Sequence, residues 1–331
     1  MLEDKRAGAA HAVAVAADAA ADRHEANIMT RTIVLLALLA STATVAGQPV
    51  TQPAFATAEE AVKALVDTVK AESLDALLAL FGPDGRELIA SSDPATARMN
   101  RRVFAVAFKE QWHLEDVAPD RKTLVIGNEQ WTFPVPLAKG ADGWRFDTAA
   151  GKEEVLARRI GRNELDAIAT IRAYVTAQRR YAQQGHDGKP AGVHATKFQS
   201  DPGKQNGLYW PTSHGQKLSP LGDLVAEAAE EQRPLGVDRT KPTPFHGYYF
   251  KILTGQGAAA SGGAKSYIVK GEMSGGFALV AWPAQYDATG VMTFVVNQDG
   301  TVRERDLGPQ TADIVRKMTV YNPDASWRPV Q

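Results

Sequence analysis

Cysteine is absent from the 331 residues. That absence excludes disulfides, thiolate nucleophiles and thiolate-ligated metals. It also excludes a lipid-modified cysteine behind any export signal. Net charge is scarce as well, with 37 Lys and Arg against 38 Asp and Glu. A balance near zero gives no electrostatic reason to bind nucleic acid or an anionic membrane surface. Long apolar runs are missing too, apart from Ile33–Ala40, which is too short for a comfortable membrane span. Three catalytic signatures do not occur: the Gly-x-Ser-x-Gly elbow, the His-Glu-x-x-His pair and a phosphate-binding glycine loop with Lys and Ser/Thr. No cofactor and no metal site is therefore expected.

What is present begins with an export signal. Arg31 and its neighbours precede the apolar run, and small residues from Ser41 to Gly47 follow it. A short basic region, an apolar stretch and a small-residue exit read as a secretory signal peptide over 29–46, cut after Ala46. Residues 1–28 are Ala-rich and unpatterned, and read as a spurious extension with Met29 the true start. Removing the first 46 residues takes away four basic and five acidic side chains and leaves 33 of each. The expected location is the periplasm or the medium, with no stable membrane anchor after cleavage.

The chain is organised around one helix, expected over 158–184. Leu165, Ile168, Ile171, Val175 and Gln178 recur at steps of three or four, on one side of a helix. Tyr174 and Tyr181 flank that stripe, and their helical spacing reads as core packing rather than a ligand site.

Residues 53–157 read as an α+β domain. Thr57 caps a first helix, with Glu60 in the capping-box position. Leu74, Leu77, Leu78 and Phe81 mark a second. A third is expected from about Ala97 to His113, with Val103, Val106 and Ala107 inward. Strands follow at Thr123–Ile126, Trp131–Leu137 and Gly143–Asp147. Trp112, His113, Trp131 and Trp144 are candidate pocket residues, against the plainer reading of core and rim packing.

Residues 185–247 read as a Gly/Pro-rich linker with a short helix from Ser219 to Glu231 and an extended arm from Pro234 to Pro244. Tyr209 and Trp210 either tie this segment to a domain face or present a patch for a glycan or peptide. Only Asp187 stands where a calcium loop needs several acids.

From residue 248 to the end the period becomes two. Tyr248–Leu253, Ser266–Val269, Phe277–Trp282, Val291–Val296 and Thr301–Arg305 read as an antiparallel sheet of four or five strands, with the central helix as its cover. A short helix is expected over Thr311–Met318. His246 and Tyr248, with Asp299, form the one residual polar cluster. A histidine that only satisfies backbone groups is the competing reading.

Three resemblances follow from these residues. The helices-then-sheet order of 53–157 resembles an NTF2-like cone. The block Gly275–Tyr286 with Gly290–Gly300, and the helix Asn163–Tyr181 before it, resemble a type IV pilin-like headgroup. A pilin needs an apolar helix continuous with its head. Here Gly161 and a folded domain lie upstream, so assembly as a pilus subunit is not expected. The whole mature chain resembles the bacterial family called domain of unknown function 2950, through Phe55–Thr57, Trp144–Thr148, Ala157–Glu164, Gly207–Pro211, His246–Phe250 and Phe277–Gly300. That resemblance implies export and assigns no activity. It also implies an acidic, glycine-containing loop after the central helix, from which His186–Gly192 departs.

Two functions are carried forward. One is a non-catalytic binding or assembly module of the cell envelope, its partner an envelope protein or small ligand. The other is an exported hydrolase or small-molecule enzyme with a pocket in the first domain or at the domain junction. A partner carboxylate for His113 in a concave pocket favours the enzyme. A first domain packed solid with aromatics favours the binding module.

Overall fold

The computed structural model describes residues 52–89, 94–212, 218–222 and 244–330. The signal peptide, the residues before it, most of the helix read at 219–231 and nearly all of the arm lie outside them. The chain divides into two compact units, Met1–Ala157 and Arg158–Gln331.

The first unit opens with α1 (Ala58–Lys70). Thr57 Oγ1 accepts the Glu60 N–H at 3.2 Å, and Glu60 Oε2 accepts the Ala56 N–H at 3.1 Å. This reciprocal pair satisfies donors that the first helical turn leaves open. Helices α2 (Leu74–Phe81), α3 (Gly85–Ile89) and α4 (Pro94–Glu110) follow. Strands β1 (Trp112–Ala118), β2 (Arg121–Ile126), β3 (Trp131–Thr132), β4 (Leu137–Gly140) and β5 (Gly143–Phe146) form one antiparallel sheet in the order β1-β2-β4-β5, with β3 on β2. The unit is α+β, as its pattern predicts.

Three local expectations need correction. The third helix stops at Glu110, so Trp112 and His113 lie on β1 instead of at a helix end. Val106, expected inward, is 52% exposed, and Phe104 takes the inward position. The expected strand Trp131–Leu137 is broken, because Pro134 and Pro136 have no N–H to donate to a ladder.

Helix α5 runs over Thr148–Ala182, starting well before Arg158. Asp147 Oδ1 accepts the Ala150 N–H at 3.0 Å and starts it as a cap. The first turns carry no apolar stripe, so their helicity is not visible as periodicity. Further along, Ile171, Tyr174, Val175, Gln178 and Tyr181 are buried, as the stripe predicts. Leu165 is not, being 68% exposed. It lies six residues before Ile171, about 120° round the helix and outside the buried arc. Glu164 takes its place on that arc. Among the described residues no helix is long and apolar enough to cross a membrane.

The second unit is built on a five-stranded antiparallel sheet. Its strands are β6 (Tyr248–Leu253), β11 (Ala278–Pro283), β12 (Met292–Asn297), β13 (Arg303–Asp306) and β15 (Arg328–Pro329), in the order β15-β13-β12-β11-β6. Between them lie β7 (Gly255–Gln256), β8 (Lys265–Ser266), β9 (Ile268–Val269), β10 (Glu272–Met273) and β14 (Val320–Tyr321). In the small sheet β14-β7-β8, the β14–β7 pair is parallel.

The long helix covers one face of the large sheet. Tyr174 Oη donates to the Ala278 carbonyl at 3.2 Å, and the Tyr174 and Phe277 rings meet edge to face at 5.8 Å. The other face is covered too. Helix α6 (Thr311–Lys317) buries Val315, and Lys251 Nζ reaches the Val315 and Arg316 carbonyls at its C-terminal end, 3.2 and 3.0 Å away. A cation there meets the negative end of the helix dipole. Two covers explain why Leu279 and Val280, neighbours pointing opposite ways, are both buried.

Candidate functional site

The aromatic candidates of the first unit pack rather than line. Phe81, Phe133 and Phe146 form a triangle with centroids 5.4 to 6.5 Å apart, Phe146 edge-on to the other two, which lie nearly parallel, and Trp131 meets Phe133 at 6.0 Å. Trp112 is exposed and stacks on Phe108 at 5.3 Å. Trp144 is buried under the Lys122 and Lys139 ammonium groups, 5.8 and 6.0 Å from its ring. His113 is exposed, and its Nε2 lies 3.4 Å from Glu115 Oε1, an exposed carboxylate of the same strand. Trp112 and Trp131 flank Ile126 from the two neighbouring strands.

His246 and Tyr248 do come together with carboxylates, though not with Asp299. Asp299 follows Asn297 at the opposite end of β12 from Met292, which sits by Tyr248, a strand length of roughly 20 Å. The partners are instead Glu164 and Asp166 of α5. His246 and Gly247 both have positive φ, 47° and 73°, and form the two-residue turn between Phe245 and Tyr248. That turn holds His246 Nδ1 at 3.5 Å from Asp166 Oδ2. Tyr248 is fully buried and its Oη donates to the Met292 carbonyl at 2.9 Å. Burial, with Glu164 adding to it, pushes this phenol well above its ordinary pKa, so it keeps its proton. A Cβ on Gly290 would lie 2.1 Å from Tyr248 Oη, so only glycine fits there. Glu164 Oε1 accepts the Val291 and Met292 N–H groups, both at 2.9 Å. The cluster therefore clamps helix to sheet; its tyrosine and its glutamate already have backbone partners.

An open pocket of about 710 Å³ lies at the C-terminal end of α5. Arg180, Gln183 and Gln184 come from the last turn of the helix and the residues just after it, and His186, Gln205, Trp210, Thr212 and Leu218–Pro220 complete the wall. Its size falls in the range of small-ligand sites.

The loop carrying Trp210 is tied down residue by residue. Ser200 N–H donates to the Tyr209 carbonyl and Tyr209 N–H to the Phe198 carbonyl, both at 2.8 Å. Gly207 sits where a Cβ would be 2.6 Å from the Gln199 carbonyl carbon, so the two backbones approach only because it is glycine. Asn206 and Asp201 close the loop with bonds of 3.0 and 2.8 Å. The segment read as a linker thus places Val193, Ala195 and Leu208 in the core of the second unit.

His186 is part of this support. Its ring stacks on Tyr181 at 4.2 Å and lies 5.5 Å from Trp210. Nε2 meets the Tyr181 carbonyl at 3.1 Å and Nδ1 the Gln205 side chain at 3.3 Å. Both ring nitrogens are therefore already engaged. Tyr181 Oη donates to the Gln205 carbonyl at 2.9 Å, and burial, with Asp187 and Glu272, pushes its pKa up to about 12. Neither group is left free for proton transfer.

One wall group has no such partner. Ser219 is 4% exposed, and its Oγ is buried with no hydrogen-bond partner among the described residues. A buried hydroxyl left unpaired costs about 1–3 kcal/mol. Among the described lining residues there is no carboxylate, and Arg180 is the one permanent cation.

Of the sequence candidates, Trp210 alone lines this pocket; Tyr209 packs, half-buried, against the core beside it. Gln183, Gln184, Gln205 and Ser219 had no distinguishing pattern in sequence. The aromatic Gly207–Pro211 landmark was the local signal for the place.

No curated protein and no solved structure matches the chain. A family model described as Protein of unknown function (DUF2950) matches residues 52–330, a span that takes in the described part of the first unit, the clamp and the pocket, and the chain belongs to that family.

Proposed function

We propose that the protein is an exported, non-catalytic binding module of the bacterial cell envelope, and that its ligand enters the Trp210 pocket. The observation that carries the binding half is the pocket wall: a fixed aromatic ring, side-chain amides and an unpaired buried hydroxyl, with the nearby His186 and Tyr181 already engaged. The aromatic contacts among the described residues of the first unit support the same reading, as does the exposure of His113. The export half rests on the signal pattern over 29–46. Kinship to NTF2-like cones and pilin-like heads stays part of this proposal, resting on element order and on the helix covering the sheet.

Fractionation of cells expressing the whole chain should recover it outside the cytoplasm with Gly47 as first residue; an intact N-terminus in the cytoplasm removes the export half. A thermal-shift screen of envelope-polymer fragments should give ligands that stabilise the protein, with the shift lost in Trp210→Ala. Ligands acting equally on both would remove the pocket. The second reading, an exported hydrolase, draws on the His246–Asp166 pair. It requires turnover of a hit that His246→Ala abolishes.

A further inference from the structure

We infer that the Trp210 pocket takes a neutral oligosaccharide segment, an inference that rests on the binding reading above and names its ligand class. The wall chemistry selects among classes. An anionic ligand is best held by several cations or a bidentate guanidinium, and among the described wall residues Arg180 is the one permanent cation. A cationic ligand needs carboxylates, and the described lining residues include none. A purely apolar ligand would leave Ser219 Oγ without a partner and would strip water from Gln183, Gln184 and Gln205. A peptide is commonly read through its backbone along an unpaired strand edge; this wall comes from a helix end and turns.

A sugar ring meets each requirement. Its C–H face is flat and apolar and matches the Trp210 indole, which lines the pocket beside His186. Its hydroxyls both donate and accept, as the glutamine amides do, so each can pair without a charge. Ser219 Oγ is enclosed, so a ring hydroxyl pairs with it once that side chain turns into the pocket, and then supplies its missing partner. The two observations are independent: one concerns the aromatic wall, the other an unsatisfied atom.

Calorimetric titration of the full mature chain tests this, with the tetrasaccharide of N-acetylglucosamine and cellotetraose as neutral probes. Tetra-alanine and inorganic phosphate are the contrasting probes. Binding of at least one saccharide is expected, weakened about tenfold by Trp210→Ala and less by Trp210→Phe, which keeps a ring. Ser219→Ala should weaken it by a factor of a few while leaving the melting temperature unchanged or higher, since the unpaired hydroxyl is gone. A purely structural serine would not show that split. Saccharide binding indifferent to both positions overturns the inference. Binding of tetra-alanine or phosphate that Trp210→Ala abolishes, with no saccharide bound, overturns the sugar class and leaves the pocket reading standing. No Trp210-dependent binding of any probe, together with a thermal-shift screen without Trp210-dependent hits, overturns both.

Discussion

Glu164 Oε1 accepts the backbone N–H of Met292 at 2.9 Å, joining the middle of the long helix to the start of a central strand. The same oxygen takes the Val291 N–H, so one carboxylate satisfies two amides. Charge-assisted bonds of this kind are about twice as strong as neutral ones. Glu164→Ala should therefore destabilise the second unit by about 3 kcal/mol, because it also leaves amides unpaired. Glu164→Gln keeps an oxygen acceptor and should cost about 1 kcal/mol. Urea unfolding of the two variants checks the order; equal midpoints for wild type and Glu164→Ala would remove the clamp.

Gln178 supplies a second lock. It is fully buried, donates to the Ala195 carbonyl at 2.8 Å and accepts the Ala195 N–H at 2.9 Å. The Ala195 backbone thus receives from a side chain the pairing that a strand neighbour would give. Gln178→Leu preserves size and burial but strands both groups, and should cost about 2–4 kcal/mol. Gln178→Glu separates shape from pairing: it retains the acceptor and loses the donor. An unchanged urea midpoint in Gln178→Leu would mean the Ala195 segment is free to re-pair with water.

Such residues mark how far the sequence can be read. The Thr57–Glu60 box and the alternation of Phe277 to Trp282 are local patterns with local causes, and both appear in the fold. Gln178 fell on the right stripe, but periodicity reports a face and not a partner seventeen residues away. Glu164 was hidden for the opposite reason: a carboxylate on the buried arc reads as surface, and Leu165 beside it reads as core. The pocket was least legible, since Ser219 meets Gln183 and Trp210 only through the fold and no spacing rule links them.

The exchange of Leu165 for Glu164 gives a direct comparison on one helix. Leu165→Ser at a 68% exposed position should change stability by no more than about 0.5 kcal/mol. Ile171→Ala, at a fully buried position, should cost about 2–5 kcal/mol. Differential scanning calorimetry of both would rank them. A large loss in Leu165→Ser would restore the simple stripe and contradict the observed rotation of the helix face.

His194 gives the fold a pH dependence whose sign can be worked out. Its ring lies 4.9 Å from Phe277, and its Nδ1 bonds the Met273 carbonyl at 3.1 Å. Burial lowers its pKa below the ordinary 6.5, and the Met273 bond opposes that only in part. Well above pH 6.5 both folded and unfolded chains hold the ring neutral, and it contributes no pH dependence. As pH falls below that value the unfolded chain takes up a proton first, and stability drops until the folded ring protonates as well. Carboxylates titrate at lower pH and act in every variant, so a paired comparison removes them. His194→Asn keeps a donor near Nδ1 and cannot titrate. Between about pH 7.5 and 5.5 the wild-type melting temperature should fall further than that of His194→Asn. Parallel curves for the two proteins would mean that the folded ring titrates as freely as the unfolded one, and that its burial against Phe277 carries no electrostatic cost.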